Sequence, residues 1–151
     1  MAGNAKVARL AVGDLSYMRR ALALFGEVFE DLPSYCANQP DDGWLADLLG
    51  DPNFVFHVAL DGERVVGAMA SYVLRKFEQA RREIYIYDLA VAEDRRRQGI
   101  ATGLIAALKG VAREIGAYVI YVQADHGDDP AVALYTKLGA REDVMHFDIL
   151  P

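Results

Sequence analysis

Cysteine is almost missing from this chain: Cys36 is the single one among 151 residues. One thiol cannot close an internal disulfide, so stability has to come from a packed core, and a reducing, cytoplasmic setting is the expectation. Histidine is scarce too. His57, His126 and His146 are scattered and share no metal-ligand spacing with Cys36, so no metal site is expected. No apolar run reaches the roughly 18 residues of a membrane span. Met1 to Arg9 lacks the apolar centre of a signal peptide, so no secretory leader is expected there. Positive charge is in deficit, with a net charge of −6 when histidine is neutral. That disfavours nucleic acid, whose phosphates need a basic surface. The acidity suits a cationic substrate or serves solubility alone. Repeats, low-complexity tracts and long linkers are also absent. The length fits one domain over residues 1–151, large enough for a real core.

What is present reads as mixed α/β. Lys6 to Val12 has a strand pattern. Asp14 is placed to cap a helix over 15–29, where Leu15, Met18, Leu22 and Phe25 recur at helical spacing. Pro33, Asn38 and Pro40 mark 31–42 as loop, and a short helix follows over 44–49. Two strands, 54–60 and 64–74, flank a hairpin turn at Asp61-Gly62. An apolar strand over 83–92 precedes a long helix over 98–115, stopped by Gly116. A strand over 118–123, a helix from Asp128-Asp129-Pro130 to Leu138, and a closing strand over 144–149 complete the order. The antiparallel centre excludes a doubly wound parallel sheet and predicts a single α/β domain with a mixed, mostly antiparallel sheet.

Two segments carry chemistry by residue type. Arg96-Arg97-Gln98-Gly99-Ile100-Ala101 joins a strand to a helix. The first amides of a helix lack internal partners and its dipole is positive there, so such a turn attracts anions. Gly99 lets a phosphate come close to the backbone, and Arg95, Arg96 and Arg97 add positive charge. A solvated basic turn is the alternative. Neither a P-loop nor a Gly-x-Gly-x-x-Gly fingerprint is present. The strand over 83–91 is the other segment. By period two, Asp88 shares a face with Ile84, Ile86 and Ala90 unless a bulge intervenes. A carboxylate in such surroundings needs a reason, either a structural hydrogen bond or chemistry. Tyr85 and Tyr87 fit packing or a substrate wall. Asp125, His126, Asp128 and Asp129 form an acidic loop that is either a helix cap or a binding rim. By pattern alone, Tyr135 is a helix aromatic packed on the sheet.

Arg96-x-x-Gly99-x-Ala101 after a Leu-Ala-Val strand, with Ala131-x-x-Leu134-Tyr135-x-Lys137-x-Gly139, resembles the signatures of the GCN5-related N-acetyltransferase (GNAT) superfamily. The element order is similar across nearly the whole chain. The resemblance implies acetyl-coenzyme A as donor. Its pyrophosphate would lie on the amides of Arg96, Arg97, Gln98, Gly99, Ile100, Ala101 and Thr102. Its pantetheine arm would pair with Leu89, Ala90 and Val91, which requires the strands there to splay. Tyr135 would be the acid that protonates the leaving thiolate, since a phenol with a pKa of roughly 10 keeps its proton at neutral pH. Asp88 would be the base for the attacking amine, with Glu83 as the second candidate.

Longer stretches, Glu83 to Val91, Arg96 to Thr102, Gly116 to Asp125, Gly127 to Gly139 and Val144 to Asp148, resemble the type I aminoglycoside 3-N-acetyltransferases that inactivate gentamicin. That implies a polycationic aminoglycoside as acceptor, antibiotic resistance as outcome and a homodimer as assembly. Tyr85, Asp125, His126, Asp128 and Asp129 are then expected to meet the substrate. His126 stands where that family is expected to have tyrosine, which bears on substrate range. The rival readings are a same-fold enzyme for another small amine or a peptide N-terminus, and a non-catalytic acyl-coenzyme A-binding module.

Overall fold

A computed structural model describes residues 4–151; part of the Met1–Arg9 segment read for a leader lies outside them. Five strands form one sheet in chain order: β1 (Lys6–Arg9), β2 (Phe54–Asp61), β3 (Arg64–Arg75), β4 (Arg82–Val91) and β5 (Ala117–Val122). The first four pair antiparallel and β5 runs parallel to β4. Among the described residues, four α-helices accompany it: α1 (Leu15–Val28), α2 (Asp42–Gly50), α3 (Ile100–Ile115) and α4 (Asp129–Leu138). The mixed α/β class and the largely antiparallel sheet are as expected.

Alternation along the strands sends apolar side chains to both faces, and each face receives a helix. Met18, Leu24 and Phe25 of α1 pack with Phe54, Phe56, Val58, Ala68 and Ala90. Leu104, Ile105 and Leu108 of α3 pack on the other face with Val55, Met69, Ile84 and Ile86. Their i, i+1, i+4 spacing makes one apolar stripe. Gly116, left-handed at φ +70°, ends α3, where a Cβ would be strained.

Several expectations are corrected. The first strand ends at Arg9 and α3 opens at Ile100 rather than Gln98. Asp14 does precede α1, but its carboxylate accepts from Ala11 N–H and caps no helix amide. The supposed loop contains a turn of π-helix over Pro33–Ala37. Val144 to Ile149 is not a strand. Its pattern is strand-like, but a strand exists only where a neighbouring edge accepts its ladder bonds, and none lies beside it among the described residues.

The face of Asp88 is corrected too. The β3–β4 register passes from Ala70↔Asp88 to Ser71↔Ile86, leaving Tyr87 as the extra residue of a bulge. The bulge reverses the alternation. Ile84 and Ile86 therefore face α3, while Ala90 packs among the α1-side residues. Asp88 turns with Ala90 and meets Tyr35.

Candidate functional site

The basic turn is built from the β4 end upward. Ala92 N–H donates to Val66 C=O at 2.9 Å and holds the chain to β3 as it leaves the sheet. A single 3-10 turn, Glu93–Arg95, follows. Arg95 is buried; its guanidinium donates to Asp61 Oδ2 at 2.6 Å and to Gln98 Oε1 at 2.9 Å. It braces the turn against the β2–β3 hairpin, while Arg96 and Arg97 stay exposed. Arg97 and Gly99 both have positive φ, +60° and +77°. The first bond of α3 runs from Gly103 N–H to Gly99 C=O at 2.9 Å. The amides of Ile100, Ala101 and Thr102 therefore precede the ladder and point outward from the helix start. A Cβ built on Gly99 meets nothing within 4 Å, so the backbone is open to a ligand. This arrangement fits a diphosphate.

Gly67 sets how closely α3 approaches the sheet. A Cβ there would lie 2.7 Å from Ile100 Cγ2 and 3.3 Å from both Ala59 and Leu104. Glycine inside a strand often signals such an approach, a cue the sequence did offer.

The expected splay is present. β4 and β5 pair from Arg82↔Ala117 to Ile86↔Val122 and no further. Beyond that point, residues 88–91 pair only with β3. One edge of Leu89, Ala90 and Val91 is thus open for an extended, amide-bearing ligand to add as a strand.

Asp88 lies at the mouth of this splay, half-buried. Tyr35 donates to its Oδ2 at 2.8 Å. Burial raises the Asp88 pKa above the usual carboxylate range, and the Tyr35 bond pulls it part of the way back. Burial and then the Asp88 bond raise the Tyr35 phenol strongly, so it remains a donor. Tyr35 escaped the sequence reading because it sits in a segment without strand or helix periodicity. An aromatic row borders the carboxylate. Tyr85 stacks on Tyr121 at 4.7 Å and 8°, and Tyr87 meets Tyr72 and Tyr85 edge-on at 5.8 Å each. Tyr85 also donates to Gln123 Oε1 at 2.9 Å, tying β4 to the end of β5.

The other candidates are less gathered. Glu83 is engaged by Lys76 at 3.3 Å and by the Tyr118 hydroxyl at 2.8 Å, so its carboxylate is occupied within the wall. Asp128 caps α4, accepting from Ala131 N–H at 3.3 Å. Asp125, His126 and Asp129 are exposed around it. Among the described residues, no hydrogen bond or ion pair joins this loop to Asp88. Tyr135 is on the inward side of α4, against the α3 core. Burial, helped by Asp128, pushes its phenol up to about 12. A cleft of about 230 Å³ adjoins the α3 turn, lined by Gln98, Gly99, Ile100 and Gly103 with residues around β1. A larger one, about 470 Å³, lies between α1 and the β2–β3 turn and contains none of these groups. Among the described residues there is no helix long and apolar enough to cross a membrane, and no cluster of metal-ligand type.

Comparison with known proteins adds three findings. The profile described as the acetyltransferase (GNAT) family matches residues 18–140. Among solved structures, an aminoglycoside acetyltransferase from an uncultured soil metagenomic sample is 48% identical. It superposes with a TM-score of 0.96 over 97% of this chain and 98% of its own. Another such enzyme, solved in complex with sisomicin, is 37% identical with a TM-score of 0.90 over 98% and 97%. Among curated proteins, an N-alpha-acetyltransferase of Saccharolobus solfataricus is 30% identical over 66% of this chain. N-acetyltransferase 8B of Rattus norvegicus is 27% identical over 82% of it. The matched stretches are 64% and 56% of those two proteins, so the chain corresponds to little more than half of such relatives.

Proposed function

Because the chain belongs to the acetyltransferase (GNAT) family, we propose that it transfers an acetyl group from acetyl-coenzyme A to the 3-amino group of a gentamicin-like aminoglycoside. One observation carries the reading: Asp88, half-buried and held by Tyr35, stands where β5 leaves β4. The likeness over the whole chain to aminoglycoside acetyltransferases supports the substrate class.

In this proposal, the amides and side chains of Arg96 to Thr102 hold the donor's pyrophosphate, and the open edge of Leu89, Ala90 and Val91 aligns its arm. Acetyl-coenzyme A supplies a thioester carbonyl. An aminoglycoside amine arrives as an ammonium and must lose a proton before it can attack. Asp88 takes that proton, its pKa lifted by burial toward the working range. Tyr35 fixes one carboxylate oxygen and leaves the other for the acceptor. Tyr135, with a pKa near 12, keeps its proton at neutral pH and gives it to the departing thiolate. Glu83, already held by Lys76 and Tyr118, is a wall residue in this reading rather than the base. Tyr85 and the exposed Asp125, His126, Asp128 and Asp129 form the rim that meets a polycation, the carboxylates as acceptors and the ring through its face. Acetylation removes one positive charge from the drug and weakens its hold on ribosomal RNA. The activity would thus give resistance in the cytoplasm.

A second reading has support in the similarity to an N-alpha-acetyltransferase: a peptide N-terminus as acceptor. The test is thiol release from acetyl-coenzyme A with gentamicin, sisomicin, a polyamine and a short peptide. Release with an aminoglycoside, and mass-spectrometric location of one acetyl on the 3-amine, is expected. Turnover with the peptide or polyamine alone would overturn the drug reading. Tight coenzyme binding with no turnover on any amine would overturn catalysis.

A further inference from the structure

We propose that the β2–β3 hairpin belongs to the donor site: Asp61 and Arg64 are positioning residues that act through Arg95 and Asp94 and hold the Arg96–Thr102 turn in the shape that receives a diphosphate. The inference rests on the reading of that turn as the donor site. Its first support is a crossed set of ion pairs. The hairpin loop is only Gly62-Glu63, so Asp61 and Arg64 face each other as register partners at the end of the hairpin. The 3-10 turn presents the opposite charges on Asp94 and Arg95. Asp61 Oδ2 accepts from Arg95 at 2.6 Å, and Arg64 donates to both oxygens of Asp94 at 2.8 and 2.9 Å.

The second support is burial. The Arg95 side chain is 10% exposed, whereas those of Arg64 and Asp94 are 54% and 60% exposed. A buried guanidinium depends on its carboxylate far more than an exposed one does. The Asp61–Arg95 pair is therefore the stronger hold on the turn, and Arg64–Asp94 the weaker.

The third support is what the held residue holds in turn. Arg95 also donates through Nε to Gln98 Oε1 at 2.9 Å, a side-chain bridge that spans Arg96 and Arg97. Arg97 lies in the left-handed region at φ +60°. A residue with a Cβ keeps that conformation only where its surroundings impose it. The amides of Ile100, Ala101 and Thr102 are aimed by α3 itself. Those of Arg96, Arg97 and Gln98 precede the helix, so their direction depends on the bridge and on the hairpin that anchors it.

The sign of the charge on Asp61 separates positioning from simple attraction. A carboxylate near the turn repels a diphosphate, so by field alone its removal would tighten binding. As a positioning residue, its removal lets the turn loosen. The turn must then become ordered as the ligand arrives, which weakens binding. The two effects oppose each other, and the same holds for Asp94.

Calorimetry of the full chain with coenzyme A tests this. Asp61→Ala should raise the Kd about 10-fold, the scale of ordering one further side chain and its backbone on binding. Asp94→Ala breaks only the exposed pair, leaves the fold intact by far-UV circular dichroism, and should raise the Kd about threefold. In an Arg95→Gln background, Asp61→Ala should have no further effect, because its route to the turn is gone. In turnover, KM for acetyl-coenzyme A should rise in both single variants while kcat stays within about twofold, since uniform binding is lost and not transition-state binding. Coenzyme A bound as tightly or more tightly by both variants, or a full additional loss in the Arg95→Gln background, would overturn the inference and leave the donor reading standing. A parent chain that binds no coenzyme A would overturn the donor reading, and the inference with it.

Discussion

Residues 4–112 and residues 113–151 have much the same apolar character and opposite fates. The first region contains every buried side chain, from Leu10 to Ala112, sealed on both faces of β1–β4. The second contains a strand, a helix and a C-terminal segment without regular structure, and buries none. The first region also holds the parts with fixed geometry: the α3 turn braced by Arg95, the open β4 edge, and Asp88 locked to Tyr35. The second carries Tyr135 and the acidic loop on elements that rest on the core without entering it. In the proposed function, the groups that would hold the donor's pyrophosphate and act as base are therefore preorganised by packing, while the proposed acid and the acidic rim stand on the less buried region.

The sharpest way to break this contrast is Asp88→Asn. It should lower kcat by about 100-fold or more, within the usual range for loss of a general base. Coenzyme binding by calorimetry should be retained, because the α3 turn is untouched. Near-normal turnover would take the base out of the first region. Next comes packing. Leu104→Ala, fully buried on α3, should cost about 2–5 kcal/mol in urea unfolding. Leu134→Ala on α4, only partly buried, should cost clearly less. Equal losses would erase the difference between the regions.

His57 tests the first region by pH. It is 3% exposed, its Nδ1 makes no hydrogen bond among the described residues, and burial lowers its pKa to about 4. A histidine kept neutral in the fold but titrating near 6.5 when unfolded contributes stability that is full above pH 6.5. The unfolded chain takes up the proton first, so that stability falls between about pH 6.5 and 4 and levels off below. The loss should be about 3 kcal/mol over that window. His57→Leu should flatten this part of the curve, and an unchanged slope would assign it to other groups.

A smaller effect is expected at Tyr35. Tyr35→Phe removes the bond that lowers the Asp88 pKa and leaves the burial that raises it. The acid limb of kcat/KM should move to higher pH, by about one unit for a charge-assisted hydrogen bond. A limb that stays in place, with activity reduced equally at all pH values, would reduce Tyr35 to packing. The smallest change belongs to the second region. Asp128→Ala removes the α4 cap and should cost about 1 kcal/mol. Any larger rise in KM for an aminoglycoside than in unfolding cost would show that the loop also meets substrate.

Much of this was legible along the chain, and particular residues show why. Gly116 and Asp128 marked helix ends because a left-handed cap and a side-chain acceptor are local requirements. The α3 turn was readable as structure because a glycine between a strand pattern and a helix pattern is a local signal. The splay after Ile86↔Val122 was expected only from the resemblance, and it is present. Asp88 was found, but its face was not, since one extra residue at Tyr87 reverses everything beyond it. Tyr35 was invisible because its partner lies 53 residues away.

The sequence by itself therefore determined the order of strands and α-helices from Lys6 to Leu138, the strand–turn–helix around Gly99 and the family, because caps, periodicity and signatures are short-range. Tertiary structure alone decided three things: which way Asp88 points and who holds it, that Arg95 braces while Arg96 and Arg97 remain free for solvent, and that Val144–Ile149 is strand-like without being a strand. Each depends on what stands beside a residue in space. A bulge, a distant hydroxyl and a missing edge leave no period in the chain that makes them.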